Sequence, residues 1–422
     1  MSQVAVAAPP REPAFAALRH SGFRAYFLGS VQSMMGDNIE HVITYWVLYQ
    51  TFRSPVLAGF AVISHWAPHL LFSVYFGALA DRYDCRRIIQ VSQLLFLSVS
   101  VGWSVLFFTG RLEVWHAVVL LLVHGFAGAI WSPAGQLILH DMVGREHLQS
   151  AVRLNATGRN LGILFGPGVG GALLLLAGPA LGMLLNSTMY LPLTIWLGRV
   201  PYTGHGRDGG ERRRLGMGWR DARATLSAVQ HNRTVVAMIA LAATTSFMVG
   251  SGLQAQMPQF AHDLGTDEAG VAYSALLMAN ALGAVAGGVL LESLGLLRSR
   301  ARTAIVLAML WSLALAGFAV APSYGVAIAL LFLMGLFNLA FSAMGQTIVQ
   351  LEAPPEIRGR VVGLFNMAQQ GLRVGSGFTV GVVGGLVGIH WSLGLSALVM
   401  LLLIWRILTY LRPRRRAARL AA

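Results

Sequence analysis

Three ionisable residues share one helical face inside an apolar stretch: Asp37, Glu40 and His41. Their spacing of i, i+3 and i+4 stacks them on the same side of a helix. Ionisable groups at membrane depth are costly and normally face a partner or a water-filled cavity. Carboxylates and a histidine in that setting can take up and release protons. Counting from Arg24 at a rise of ~1.5 Å per residue, Asp37 lies ~20 Å into the span. His124, in a later stretch, lies ~14 Å in from the opposite side by the same rise, so the two depths are comparable. Arg159 and Arg373 fall near the middle of two further stretches. Proton coupling or substrate contact is one reading of these charges. Internal ion pairing that fixes helix packing, for instance Asp37 with Arg159, is the other. Trp46, Gln254, Asn338 and Gln369 could line a mixed polar–aromatic pocket, as could Trp131, Gln256, Asn280 and Gln346. Several of these could equally face lipid or another helix.

The elements that position these groups must be membrane helices. The 422 residues are 55% hydrophobic and 11% charged, with a mean hydropathy of +0.63. A soluble domain carries about 25% charged residues, so the composition predicts an all-α polytopic membrane protein. Stretches long enough to span ~30 Å of hydrocarbon occur at about 23–49, 56–79, 88–109, 115–139, 151–177, 180–200, 234–258, 270–293, 303–321, 324–349, 361–387 and 392–411. These twelve predicted helices fall into a bundle of six over residues 1–200 and a second of six over 233–422. The polar stretch 201–232 separates them and ends in an amphipathic segment, Trp219–Gln230, suited to the membrane surface.

Net charge is +14 and all 31 basic residues are arginine. A phosphate loop of the Walker type needs a lysine, so an ATP-driven pump of that kind is excluded. The arginines lie in short loops between apolar spans, which fits membrane orientation better than nucleic-acid binding. With both termini inside, the cytoplasmic loops carry Arg82, Arg86, Arg87, Arg145, Arg199, Arg212, Arg213, Arg214, Arg358 and Arg360, whereas the outer loops carry only Arg53 and Arg111. Residues 1–13 are Ala/Pro-rich without a cleavable apolar core, and read as a short cytoplasmic tail. The single Cys85 permits no intramolecular disulfide, no metal-ligand spacing is present, and no nucleophile–base set emerges. The expectation is therefore neither an enzyme nor a metal or cofactor protein.

The run Gly77-Ala78-Leu79-Ala80-Asp81-Arg82-Tyr83-Asp84-Cys85-Arg86-Arg87 closely resembles the loop between helices 2 and 3 of the major facilitator superfamily of secondary transporters. The resemblance implies that Asp81, with Arg82, Arg86 and Arg87 beside it, holds the two halves together on the cytoplasmic side when the carrier faces outward. The start of the eleventh helix, around Arg360, would be the partner, since an acid gains from a helix N-terminus. Plain positive-inside anchoring is the alternative for the arginines. The run Gly162-Ile163-Leu164-Phe165-Gly166-Pro167-Gly168-Val169-Gly170-Gly171 resembles the fifth-helix motif of proton-coupled exporters in that superfamily. Glycines four apart allow close helix approach, and Pro167 can bend the helix. The same letters fit a dinucleotide fingerprint, but that motif needs a strand and a βαβ unit around it. The halves also repeat weakly: Asn155 precedes Gly166 and Gly170 as Asn366 precedes Gly377 and Gly381, in keeping with a duplicated six-helix unit.

The drug-efflux branch usually carries an arginine four residues before a glycine in its fourth helix. Here His124 stands four before Gly128. Either this titratable residue takes over a proton-linked role, or that role is lost. Within the exporters the chain looks most like the branch holding macrolide, multidrug and siderophore exporters. Met35-Gly36-Asp37, Trp131-Ser132-Pro133-Ala134 and Pro355-Glu356-Ile357-Arg358-Gly359-Arg360 carry that likeness. The resemblance implies a monomeric exporter of amphipathic small molecules in a bacterial inner membrane, driven by proton antiport. A dedicated carrier or flippase for one metabolite, such as a siderophore or lysolipid, is the nearest rival. A non-transporting sensor or assembly factor on the same fold is the rival of another class.

Overall fold

Helix ends fall where the sequence supplies caps and reversals. In the computed structural model, residues 15–205, 219–265, 270–294, 300–354 and 357–411 are described. Helix α1 (Ser21–Phe52) stops at Arg53, whose φ of 45° is left-handed. Ser54 then caps α2 (Pro55–Arg82), its hydroxyl accepting from the Leu57 N–H, with Pro55 in the first turn. Asp84 caps α3 (Cys85–Thr109) through the Arg86 N–H, and Gly110 ends that helix at φ 64°.

The next helix runs from Val114 to Ser187 but is not straight. Gly144 at φ 68° and Gly178 at φ 74° leave the helical region inside it, a conformation that glycine adopts at little cost. The chain reverses at each, giving three legs: α4 (114–143), α5 (145–177) and α6 (179–197). The segment Trp219–Val229 is a separate helix, where the amphipathic pattern placed one. Residues 206–218 of the linker lie outside the described residues.

The later legs are α7, built from Arg233–Met248 and Gly252–Asp263 with a bend of 40° between them, α8 (Val271–Leu294), α9 (Ala301–Ala319), α10 (Tyr324–Glu352), α11 (358–387) and α12 (Ile389–Tyr410). The eleventh stretch is less regular than its apolar pattern predicts. It passes through a 3₁₀ turn at Gly371–Arg373 and a π turn at Gly377–Val382, and π turns are frequent at functional sites. Among the described residues seven helices are long and apolar enough to cross a membrane on their own, or eight with the bent pair. Helix α1 is not among them, and it carries Asp37, Glu40 and His41.

The face holding the α1–α2 turn is termed the loop side, and the face holding the α2–α3 turn the terminus side. One apolar core contains residues from both halves of the chain, including Val42, Trp46, Leu253 and Tyr273. A second belongs to the first half alone, around Phe23, Tyr26, Ala80, Cys85 and Tyr190. Asp84 and Arg86 tie the terminus side of the first half together. The Arg86 guanidinium binds both Asp84 oxygens and also donates to the Val200 carbonyl at the end of α6. Partial burial favours the neutral Asp84 carboxyl, but the Arg86 side chain and N–H outweigh it and hold Asp84 below its ordinary value. The pair therefore stabilises the fold above the unfolded value of about 3.9, and the contribution is lost as pH falls through the lower folded value. Asp84→Asn keeps the cap and removes the charge. Its thermal stability should fall short of wild type by less than about 1 kcal/mol at neutral pH, and the gap should close in acid. A gap that persists in acid would assign Asp84 a purely packing role.

Candidate translocation site

Helix α1 turns its ionisable face toward α4 and α2. His124 sits between the two carboxylates of α1. Its Nδ1 lies 2.7 Å from Glu40 Oε1 and its Nε2 lies 2.8 Å from Asp37 Oδ1. Glu40 is fully committed, since its other oxygen accepts from the Ser100 hydroxyl at 2.6 Å. Asn186 donates in turn to Ser100. The Asp37 side chain is 12% exposed against 3% for Glu40, so Asp37 is the accessible end of the clamp and Glu40 its anchor. Asp37 thus pairs with His124, and among the described residues it makes no bond to Arg159. The equal depths of Asp37 and His124 were legible in the sequence.

His41 donates through Nδ1 to the Asp37 carbonyl at 2.8 Å. Beyond it stand two histidines that the sequence reading did not single out. His65 packs its ring on His41 at 4.8 Å and on His124 at 5.3 Å, and His69 follows at 5.9 Å from His65. Their signal was present: histidines four apart on an apolar helix share one face. A row of imidazoles therefore leads from the clamp toward the interface between the two halves.

At that interface the Arg373 guanidinium lies over the Trp66 ring at 5.0 Å, a cation–π contact, and its Nε donates to the Gln369 carbonyl at 3.4 Å. Arg159 is an electrostatic neighbour of both Arg373 and His69. Neither arginine has a carboxylate partner among the described residues. Gln369 donates to the Ser342 hydroxyl. Trp46 is buried and stacks on Tyr273 at 5.4 Å, so it belongs to the packed contact between halves. Gln254 is half-buried and Asn338 exposed, and neither meets the central arginines through a described bond.

The glycine run of α5 works on two faces. A Cβ on Gly162 would fall 2.8 Å from Met34 Cβ, one on Gly170 would fall 3.0 Å from Val42 Cβ, and one on Gly166 would collide with Asn38. These three glycines let α5 lie against α1. Gly171, one position on, would meet Ser274 of α8 at 2.8 Å, so the opposite face belongs to the other half of the chain. Pro167 stands inside this helix.

Contacts between the halves run from the loop side to the middle. Gln256 donates to the Pro55 carbonyl at 2.8 Å, Tyr273 to the Val42 carbonyl at 3.1 Å, and Trp66 to the Ser251 hydroxyl at 3.2 Å. Arg53 and His262 meet at 3.0 Å. Gly59 of α2 packs against Gly377 and Gly381 of α11. Near the other end of α2, Gly77 has nothing within 4 Å of where its Cβ would stand. Asp81 is half-buried, Arg82 and Arg87 are exposed, and Arg87 donates to Gln90 of its own helix. Among the described residues Asp81 has no ion pair, and the side chain of Arg358 lies outside them. Among the described residues, the contacts between the halves lie on the loop side and in the middle.

Twelve legs among the described residues, a clamp of ionisable groups inside one half and contacts between the halves on the loop side define a secondary carrier of the major facilitator type. The chain belongs to the transmembrane secretion effector family of that superfamily, whose model matches residues 12–420. It is similar to macrolide efflux protein A of Streptococcus pyogenes, with 22% identity covering 81% of this chain and 84% of that protein. It is also similar to the enterobactin exporter EntS of Shigella boydii, at 25% identity covering 82% and 81% of the two chains. The multidrug efflux pump Tap of Mycolicibacterium fortuitum is 23% identical, with 87% and 90% covered. The match to the staphyloferrin A transporter of Staphylococcus aureus spans only 38% of that protein, at 24% identity. Among solved structures, an inward-facing bacterial homologue of the lysosomal transporter Spinster superposes with a TM-score of 0.69 at 13% identity, covering 94% of this chain and 96% of that one. The nucleoside transporter NupG gives 0.68 at 14% identity, covering 93% and 99%. The protein is a multi-pass membrane transporter of small molecules and not an enzyme.

Proposed function

We propose that the protein exports amphipathic small molecules from a bacterial cytoplasm across the inner membrane, in exchange for protons moving inward. The observation that carries this reading is the clamp of Glu40, His124 and Asp37, buried in the first half with Asp37 its most exposed member. A carboxylate at that position changes the charge of the bundle when it is protonated. A change in charge alters the balance between outward- and inward-facing states. The arginine-rich terminus side is cytoplasmic in this reading, so the structure is inward-facing and receives its cargo from the cell. The two six-helix bundles then rock about the centre in a monomer, and Asp81 engages the start of α11 only when the cytoplasmic side closes. Exporters among the relatives support the direction of transport. Proteoliposomes loaded with a pH dye test the coupling: efflux of a substrate should acidify the compartment that receives protons, and a protonophore should abolish uphill movement. Flux that ignores both the pH gradient and the protonophore would refute proton antiport.

The central arginines favour a second, narrower reading, a dedicated exporter of one anionic metabolite. Arg159 and Arg373 place two cations at the interface without a described carboxylate, and arginine suits carboxylate or phosphate recognition. Removing one charge-assisted contact worth about 1.5–3 kcal/mol should weaken an anionic substrate about tenfold or more. Arg373→Gln should therefore raise the KM for anionic substrates and leave neutral amphipathic ones unchanged. An equal effect on both classes would make Arg373 a packing residue over Trp66.

A further inference from the structure

The histidine row and the carboxylate clamp hold more donor atoms than proton exchange requires. Asp37, His41, His65 and His124 each bring one possible ligand atom to within 4.8 Å of the other three. We infer that these four residues form a binding site for a single divalent transition-metal ion of the zinc class. The inference stands on side-chain placement alone and does not depend on the proton reading of the same cluster.

The donor set is three imidazoles and one carboxylate. Imidazole suits zinc, copper, nickel and iron, whereas magnesium and calcium are held by oxygen ligands. Neighbouring ligand atoms around a tetrahedral zinc ion lie about 3.3 Å apart, from bond lengths of about 2.0–2.1 Å. His124 Nε2 and Asp37 Oδ1 stand 2.8 Å apart and the whole set lies within 4.8 Å, so admitting the ion means parting that pair slightly and drawing His41 and His65 inward by small ring movements. Both are half-buried and border the interface.

The orienting partners of a metal site are also present. Metal-bound histidines usually donate their other N–H to a carboxylate or a backbone carbonyl, which fixes the tautomer. His124 has Glu40 at its Nδ1 and His41 has the Asp37 carbonyl at its Nδ1; Nε2 of His41 is then available to the ion, and Nε2 of His124 exchanges its direct contact with Asp37 for a shared ion. His65 is the independent pointer. Its Nδ1 is buried and has no hydrogen-bond partner among the described residues, although a buried polar atom is nearly always satisfied. Charge agrees as well. Asp37 and Glu40 bring two carboxyl groups to the imidazoles, and carboxylates favour a divalent cation. All four ligands come from α1, α2 and α4, within one half of the chain. Rocking of the halves therefore leaves the site intact, unlike a cargo site assembled between them.

The test is cobalt titration of the full chain in detergent, purified without a histidine tag and stripped with chelator. Cobalt should bind one ion per chain with the visible absorption of a four-coordinate site, zinc should displace it, and magnesium should not. His65→Ala should weaken binding at least tenfold, and Glu40→Gln should weaken it about 10–100-fold through loss of the orienting partner. His262→Ala, an exposed histidine on the loop side, should leave it unchanged and so controls for surface sites. Failure to bind, binding indifferent to His65→Ala, or displacement by magnesium would overturn the inference. Transport plays no part in these readouts, so a failed antiport assay would leave them standing.

Discussion

Replacing Asp37 by Asn is expected to abolish concentrative export while leaving a folded, inserted protein. Asn is nearly isosteric and its side-chain oxygen can still accept from His124 Nε2, which stands 2.8 Å from the present carboxylate. The clamp keeps its geometry and loses one exchangeable charge. Glu40 behaves differently because both of its oxygens are used, by His124 and by Ser100. Removing one member of a buried charged pair costs about 3–5 kcal/mol, so Glu40→Gln should show its effect first as a fall in thermal stability. The measurement is the substrate gradient sustained by an imposed pH gradient in proteoliposomes, with downhill exchange measured in parallel. Asp37→Asn should hold no gradient and retain downhill exchange. Full uphill transport by this variant would remove Asp37 from the coupling scheme and make His124 the next residue to examine.

The span count and the contact face of α1 were legible because each rests on local pattern. Apolar length identifies a span, and the i, i+3, i+4 rule aligns Asp37, Glu40 and His41 wherever the helix sits. The glycine spacing of α5 likewise placed Gly162, Gly166 and Gly170 on one stripe, now seen against α1. What stayed hidden depends on how each helix is rotated about its axis. A soluble helix betrays its rotation by a polar outer face, but a helix in lipid is apolar on both sides, and the driving force between helices is packing and polar contact. So nothing local told that His65 meets His41, or that Arg86 reaches back to the Val200 carbonyl. Whether Asp37 would meet Arg159, the example of internal pairing, was hidden for the same reason. Two mid-membrane residues of opposite charge are partners only if no nearer group intervenes, and His124 does. The irregular path of α11 was hidden too, because Gly371, Gly377 and Gly381 read equally as packing glycines or as breaks.

Gly59 offers the sharpest test of the one-sided closure. Its Cα lies where α2 and α11 touch, and a Cβ there would stand 2.6 Å from the Gly377 carbonyl oxygen and 2.8 Å from the Gly381 Cα. Both neighbours are backbone, so no flexible side chain can yield. Gly59→Val should therefore wedge the loop side open and favour the state facing the opposite way. Overpacking of this kind costs about 1–3 kcal/mol, which corresponds to about a 5–150-fold change in the ratio of the two states. Gly77 lies toward the terminus side of the same helix, where a Cβ would meet nothing within 4 Å. Gly77→Val should leave the present state undisturbed and obstruct closure of the terminus side, the opposite bias. Spin labels at the exposed positions Arg111 and Ser323 read the separation of the two halves on the loop side. The distance distribution should lengthen in Gly59→Val and stay short in Gly77→Val, and both variants should lose turnover because each holds one half of the cycle. Gly325→Ala, where a Cβ also meets nothing within 4 Å, should retain both the distances and the transport. If Gly59→Val keeps the wild-type distances and turns over normally, α2 and α11 are not the closing surfaces, and the alternation must be sought between α5 and α8 around Gly171 and Ser274.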